Sequence, residues 1–279
     1  MFMLIDVHCH PLDLLEHFPG AEDERRRLGV FCAASSTTKE QFFCHEELAK
    51  KAQAENAPPV IPCFAIHPQL PASDMWNAEF ADEHLALLES LAKEGRLGAI
   101  GEVGFDLYND EFRSTEKLQD EIFAAHLETA LKYDLPMVLH VRRAMHKVFA
   151  YTTVLKKLPA VIFHSWPGTM GEGESLLRRG VNAYFSFGTV ITLNHKEAIR
   201  CCAAFPAERL LTETDAPYQG LRGAAFSRWA DLPLILKTAA LLRKTAGKPG
   251  SDADDLEQIV EENFKRAFGI ISNFQFPVI

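Results

Sequence analysis

Eight short apolar runs alternate with longer amphipathic stretches from one end of this chain to the other, and that alternation restricts its fold more than any other feature. The runs are Met3 to Cys9, Gly29 to Ala34, Val60 to Ile66, Gly98 to Val103, Pro136 to Leu139, Ala160 to Phe163, Asn182 to Phe187 and Arg209 to Glu213. Each is short and apolar along its length, as strands of a parallel sheet covered on both faces should be. The stretches between them space their apolar residues by three and four. In Thr115 to Tyr133, Leu118, Ile122, Phe123, Leu127 and Leu131 share one side, which predicts a helix. Further helices are expected over Glu83 to Lys93, Met145 to Leu158, Glu172 to Arg179 and Leu193 to Phe205.

Eight strand-helix units in 279 residues predict an α/β fold, a (β/α)8 TIM-type barrel. An open doubly wound sheet is the competing architecture, but no Gly-x-Gly-x-x-Gly follows the first run. Two extra C-terminal helices are expected, Leu232 to Thr245 and Asp252 to Phe268, separated by Lys248-Pro249-Gly250. The apolar tail Ile270 to Ile279 is expected to pack on the barrel or on a partner. With no linker or repeat, residues 1–279 read as one barrel domain.

Composition narrows the function classes. A net charge of -9 argues against bulk electrostatic coating of nucleic acid, while leaving room for a local basic patch. No apolar run approaches the ~20 residues of a membrane span. The start carries Asp6 and two histidines where a signal peptide needs an unbroken apolar stretch. Six cysteines without a Cys-x-x-Cys pair read as small buried hydrophobes. A cytoplasmic protein is expected.

Barrel enzymes carry their chemistry at the carboxyl ends of the strands, and the polar residues here collect at those ends. The first run closes on His8-Cys9-His10, and the period of two turns both histidines the same way with Asp6 below. The third closes on His67, the fourth on Glu102 and Asp106, the fifth on His140, the sixth on His164, and the eighth on Glu213-Thr214-Asp215. One histidine at a strand end is ordinary. Five of the eleven histidines there, with Glu102 and Asp215, are the donor set of a metal site, because a carboxylate among apolar neighbours is costly unless paired or metal-bound. The other six (His17, His45, His84, His126, His146, His195) read as surface or packing residues.

These motifs resemble the TatD-type deoxyribonuclease family of metal-dependent hydrolases. The likeness rests on His8-Cys9-His10, Ile66-His67-Pro68, Gly101-Glu102-Val103-Gly104, His140 with Arg142, Phe163-His164 and Leu211-Thr212-Glu213-Thr214-Asp215-Ala216-Pro217. Asn263 to Gly269 looks like the family's last helix, so the likeness covers nearly the whole chain. The resemblance implies a cofactor of two divalent metal cations. His8, His10 and Asp215 would hold one, His140 and His164 the other, with Glu102 bridging. Imidazoles suit Zn, and carboxylates suit Mg or Mn. His67 would contact substrate, and DNA phosphodiester bonds would be hydrolysed by a metal-activated water. Asp215 could also accept that water's proton, and Glu213 could orient a ligating histidine. The segments Ser165-Trp166-Pro167-Gly168 and Ser227 to Pro233 depart from the family's pattern, both on the substrate side.

Two other readings compete. A barrel hydrolase of small esters, lactones or amides often bridges its metals with a carboxylated lysine on strand four, where this chain has Glu102 and no lysine. A non-catalytic scaffold would have no use for the buried charges. For the nuclease, Arg142, Arg143, Lys147, Arg222 and Arg228 follow strands five and eight and could form a basic rim, with Arg142 and Arg222 as substrate contacts. Trp166 or Tyr218 could stack on bases. A rim with so few cations on an acidic protein suits a DNA end as partner, removed one nucleotide at a time, better than a duplex interior.

Overall fold

In the computed structural model, which describes residues 3–270, the eight runs form one parallel sheet whose strands follow chain order. They are β1 Leu4–Cys9, β2 Val30–Ser36, β3 Val60–Phe64, β4 Ala99–Asp106, β5 Met137–Arg142, β6 Val161–Phe163, β7 Ala183–Phe187 and β8 Leu210–Thr212. From β2 to β4 and from β6 to β8 every strand residue is buried, as the continuous apolar runs require. The barrel is drawn together between β8 and β1 mainly beyond the short β8. Thr212 Oγ1 donates to the Ile5 carbonyl, Asp215 N–H to that of His8, and His10 N–H to that of Ala216. Asp6 completes the seam by accepting from Thr214 N–H at 2.9 Å and Thr214 Oγ1 at 2.7 Å.

Helices cover the sheet, and their caps are legible in the chain. Thr38 and Gln41 form a capping box for Lys39–Ala54, Thr169 and Glu172 one for Met170–Arg178. Asn77 caps Ala78–Lys93, and Asp252 caps Ala253–Ala267. The expected helix over Met145 to Leu158 is broken into Met145–Ala150 and Thr152–Leu155, and Leu193 to Phe205 shortens to Lys196–Ala204 after a 3-10 turn. The helix Glu116–Tyr133 forms as expected but is rotated. Leu118 and Leu131 are exposed, whereas Gln119, Ile122, Phe123, His126, Leu127 and Ala130 face inward. Two polar residues belong to the buried stripe because each satisfies otherwise orphaned backbone. Gln119 accepts from Asp106 N–H and donates to the Asp106 carbonyl. His126 accepts from Ile66 N–H and lies 2.8 Å from the Ile122 carbonyl.

The last helix seats through Asn263, which is buried and donates to the carbonyls of Ala207 and Leu210 at the start of β8. Buried Arg243 secures the turn before that helix, donating to the carbonyls of Pro249, Cys202 and Phe205. Residues 271–279 of the apolar tail lie outside the described residues. No helix among the described residues is long and apolar enough to cross a membrane.

Candidate metal centre

A cavity of about 1060 Å³ opens at the carboxyl ends of the strands, and His10, His67, Glu102, His140, His164 and Asp215 all line it. Each arrives there for a local reason. His8 and His10 share the inward parity of β1 and its end. Glu102 sits in β4 between Gly101 and Gly104, both packed against β5. A side chain at Gly104 would put its Cβ 1.9 Å from the His140 carbonyl oxygen, so only glycine lets the two strands approach there. Three βα turns at the mouth hold non-glycine residues in the left-handed region, Arg143, Ser165 and Asp215. Such conformations concentrate where a site constrains the backbone.

Glu102 organises the cluster, and its two oxygens face different partners. Oε2 lies 3.2 Å from His8 Nε2 and 3.8 Å from His10 Nε2. Asp215 Oδ1 lies 3.3 and 3.5 Å from the same two nitrogens, which are themselves 3.2 Å apart. Oε1 lies 2.6 Å from His140 Nδ1, 3.4 Å from His164 Nε2 and 3.5 Å from His67 Nε2. Three sets of donor atoms fall within 4.8 Å of one another: His8, His10 and Asp215; His8, Glu102 and His164; and His67, Glu102 and His140. The first is the trio expected for one cation. His140 and His164 both approach Glu102, but His140 closes a set with His67 and His164 with His8.

Burial and charge set the protonation of this cluster. Burial alone would raise Glu102, yet the charges of His8, His67 and His164 hold it well below the ordinary carboxylate value. Asp215 is likewise depressed: burial works against ionisation, and His164, His10 and His8 more than offset it. Against a burial penalty, Glu102 and Asp215 raise His8 well above its ordinary value, and Asp106 and Glu102 raise His140 to about 9. Burial lowers His67 despite the charge of Glu102. Anionic carboxylates and imidazole nitrogens thus converge around two oxygens of one residue. The donor set suits divalent cations, which would take the place of the protons these imidazoles otherwise attract. Glu213 adds to the fit. It is wholly buried, its Oε1 lies 3.2 Å from His164 Nδ1 but out of line for a hydrogen bond, and neither carboxylate oxygen has a partner among the described residues.

The substrate-side expectations sort differently. Arg142 and Arg143 line the cavity, and their guanidinium carbons lie 3.6 and 4.6 Å from the ring centre of Tyr108. Arg222 is exposed on the loop after β8 and does not line the cavity. Lys147 and Arg228 do not contribute to a basic rim: Lys147 is paired with Glu116 and Asp120, Arg228 with Glu24. Trp166, expected as a stacking surface, offers none, since its ring is buried against Phe163, Phe185 and Phe205. Tyr218 is 62% exposed beside His10, with its hydroxyl on Asp13.

Several participants carry little signal in the chain. Gln219 donates to Asp215 Oδ2 at 2.9 Å, and Gln69 donates to Asp106 Oδ2 at 2.7 Å. Both are uncharged loop residues. Asp106 does carry a signal in the chain: four residues after Glu102 on one strand, it shares that residue's parity.

Comparison with known proteins follows the same course along the chain. The family described as TatD related DNase matches residues 5–269. A Dickeya dadantii protein named 3'-5' ssDNA/RNA exonuclease TatD is 35% identical over 208 residues, 73% of this chain and 74% of that protein. A protein of the same name from Cronobacter sakazakii is 34% identical over 210 residues, 73% of this chain and 74% of its own length. The crystal structure of YJJV, a TatD homolog from Escherichia coli k12, superposes with a TM-score of 0.77 at 24% identity, covering 96% of this chain and 98% of that one. That likeness speaks for the fold, and the sequence match runs from the first strand through the last described helix. On that sequence match the chain belongs to the TatD-related DNases, metal-dependent hydrolases that act on phosphodiester bonds.

Proposed function

We propose that this protein, one hydrolase domain over residues 1–279, is a cytoplasmic exonuclease that removes nucleotides from the 3' end of single-stranded DNA. The observation that carries the reading is Glu102, whose two oxygens face separate groups of donors at the mouth of a cavity large enough for a strand end. His8, His10 and Asp215 would hold one divalent cation, and His140 and His164, which both approach Glu102, would hold the other, with Glu102 contributing to each. Bound there, the cations would polarise the phosphoryl group and make the attacking water acidic. Asp215, steadied by Gln219, would accept the water's proton as the water oxygen adds to phosphorus. The bond from phosphorus to the leaving sugar oxygen breaks, and that oxygen takes a proton from solvent. Glu213, 3.2 Å from His164 Nδ1, would orient that ring by accepting its N–H once the two turn into line. His67 and Arg142 contact the terminal phosphates, with Arg143 beside them, and Arg222 reaches the strand further out. The nuclease names of the relatives favour this over a small-molecule ester, lactone or amide. Six free thiols, five of them buried, suit a reducing compartment.

An end-labelled oligonucleotide incubated with the metal-loaded protein should yield a ladder of single-nucleotide steps, and a circular single strand should stay intact. Stripping the metal should stop the reaction and restoring it should recover activity. Fragments from the circle would overturn the end-specific reading, and turnover surviving complete chelation would overturn the metal-dependent one.

A further inference from the structure

A histidine acts as a ligand or as a donor according to which ring nitrogen holds its proton, and the partner of the other nitrogen decides that. Two histidines flank the same oxygen of Glu102, and their outer partners are of opposite kinds. His140 turns Nδ1 to Glu102 Oε1 at 2.6 Å and Nε2 to Asp106 Oδ2 at 3.3 Å. Asp106 is fully buried, and the donors around it are all aimed at its oxygens: Gln69 Nε2 at Oδ2, 2.7 Å, and the Tyr108 N–H at Oδ1, 2.9 Å. An ionised carboxylate only accepts, so the His140 proton belongs on Nε2 and the lone pair on Nδ1, toward Glu102. His67 is arranged the other way. Its Nδ1 accepts from the Gln69 backbone N–H at 3.2 Å, which places the proton on Nε2, 3.5 Å from the same Glu102 oxygen.

We propose that Asp106 and the turn at Gln69 sort these two histidines into opposite roles, His140 as a metal ligand through Nδ1 and His67 as a hydrogen-bond donor to a phosphoryl oxygen through Nε2. The inference rests on the metal-dependent reading of the site. It has a consequence for the donor set of His67, Glu102 and His140: although those atoms lie within 4.8 Å of one another, only the last two can be ligands. Asp106 is then a positioning residue, touching neither substrate nor cation. Residue 69 serves twice, its backbone holding His67 and its side chain holding Asp106.

The test is nitrogen NMR on protein labelled with 15N-histidine and loaded with diamagnetic zinc, with signals assigned through His67→Gln and His140→Gln. His140 is expected to show a ligated Nδ1 and a protonated Nε2; His67, no ligation and a proton on Nε2. Asp106→Asn keeps the volume but can accept on one side only. It should disturb the His140 signals and weaken the second zinc about 10–100-fold in chelator competition, the range found for outer partners of metal ligands, with the first zinc unchanged. A His67 nitrogen at a ligand shift, a His140 bound through Nε2, or an Asp106→Asn protein with unaltered His140 signals and second-zinc affinity would each overturn the proposal. The wild-type spectra decide the first two outcomes even if the variant fails to fold. Protein that binds no zinc overturns this inference together with the metal reading. The expected spectra from protein inert toward oligonucleotides would strike the nuclease reading alone.

Discussion

Individual side chains around Glu102 make separable contributions. An amide in place of that carboxylate keeps the shape but removes the charge that both groups of histidines face. Glu102→Gln is therefore expected to lose bound metal and to lower kcat by more than the roughly 100-fold upper range for outer partners of a metal site. His67→Ala, by contrast, should raise KM more than it lowers kcat, since a substrate contact made equally in ground and transition states affects binding alone. Metal analysis and steady-state kinetics on the two variants check this. Two bound metals and near-normal turnover in Glu102→Gln would show that the residue does not bridge.

At the scale of an element, the strand ends are held in place by buried polar groups on the helices behind them. His126, on the helix Glu116–Tyr133, supports the end of β3 just before His67. Burial lowers its pKa from 6.5 to about 4, so the folded state holds its proton less tightly than the unfolded chain does. The stabilisation is complete above pH 6.5 and is lost as pH falls toward 4, about 3 kcal/mol in all. Urea titrations across that window should give a steep decline for the wild type and a shallower one for His126→Gln. Equal slopes would mean the ring is not held neutral. The contact of β4 with β5 offers a second check. Gly104→Ala forces a Cβ against the His140 carbonyl and should cost roughly 1–3 kcal/mol of stability, with loss of bound metal. A Gly104→Ala protein with wild-type stability and metal content would argue that the strands can separate without disturbing the site.

Over the whole molecule, a net charge of -9 coexists with a cavity whose rim carries Arg142 and Arg143. Few cations can reach a bound strand, so its affinity should fall modestly with salt, by a log-log slope of roughly -0.7 per phosphate contact on a single strand. Arg142→Glu is expected to remove about one such step while metal content stays unchanged. Arg222→Glu should do so only for oligonucleotides long enough to reach the loop after β8. Binding measured at several salt concentrations with short and long single strands separates the two positions. An unchanged slope in Arg142→Glu would remove that residue from the substrate path.

Sequence alone was enough for the barrel and for the charged residues that meet at its mouth. Strands buried on both faces must be apolar throughout, and parallel strands need long amphipathic connections, so the alternation leaves few other architectures. Charged side chains are costly inside such strands, which makes His8, Glu102 and Asp215 conspicuous in the chain itself. What needed tertiary structure was every relation across elements. Periodicity placed Leu118 and Leu131 inward because it counts apolar residues and cannot see that Gln119 and His126 have backbone partners on neighbouring strands. The same limit hid the ion pairs that occupy Lys147 and Arg228, the burial of Trp166, and the contact of Asp106 with His140. A residue's type fixes what it can donate or accept; only the packed fold decides which partner it meets, because those partners lie far apart along the chain.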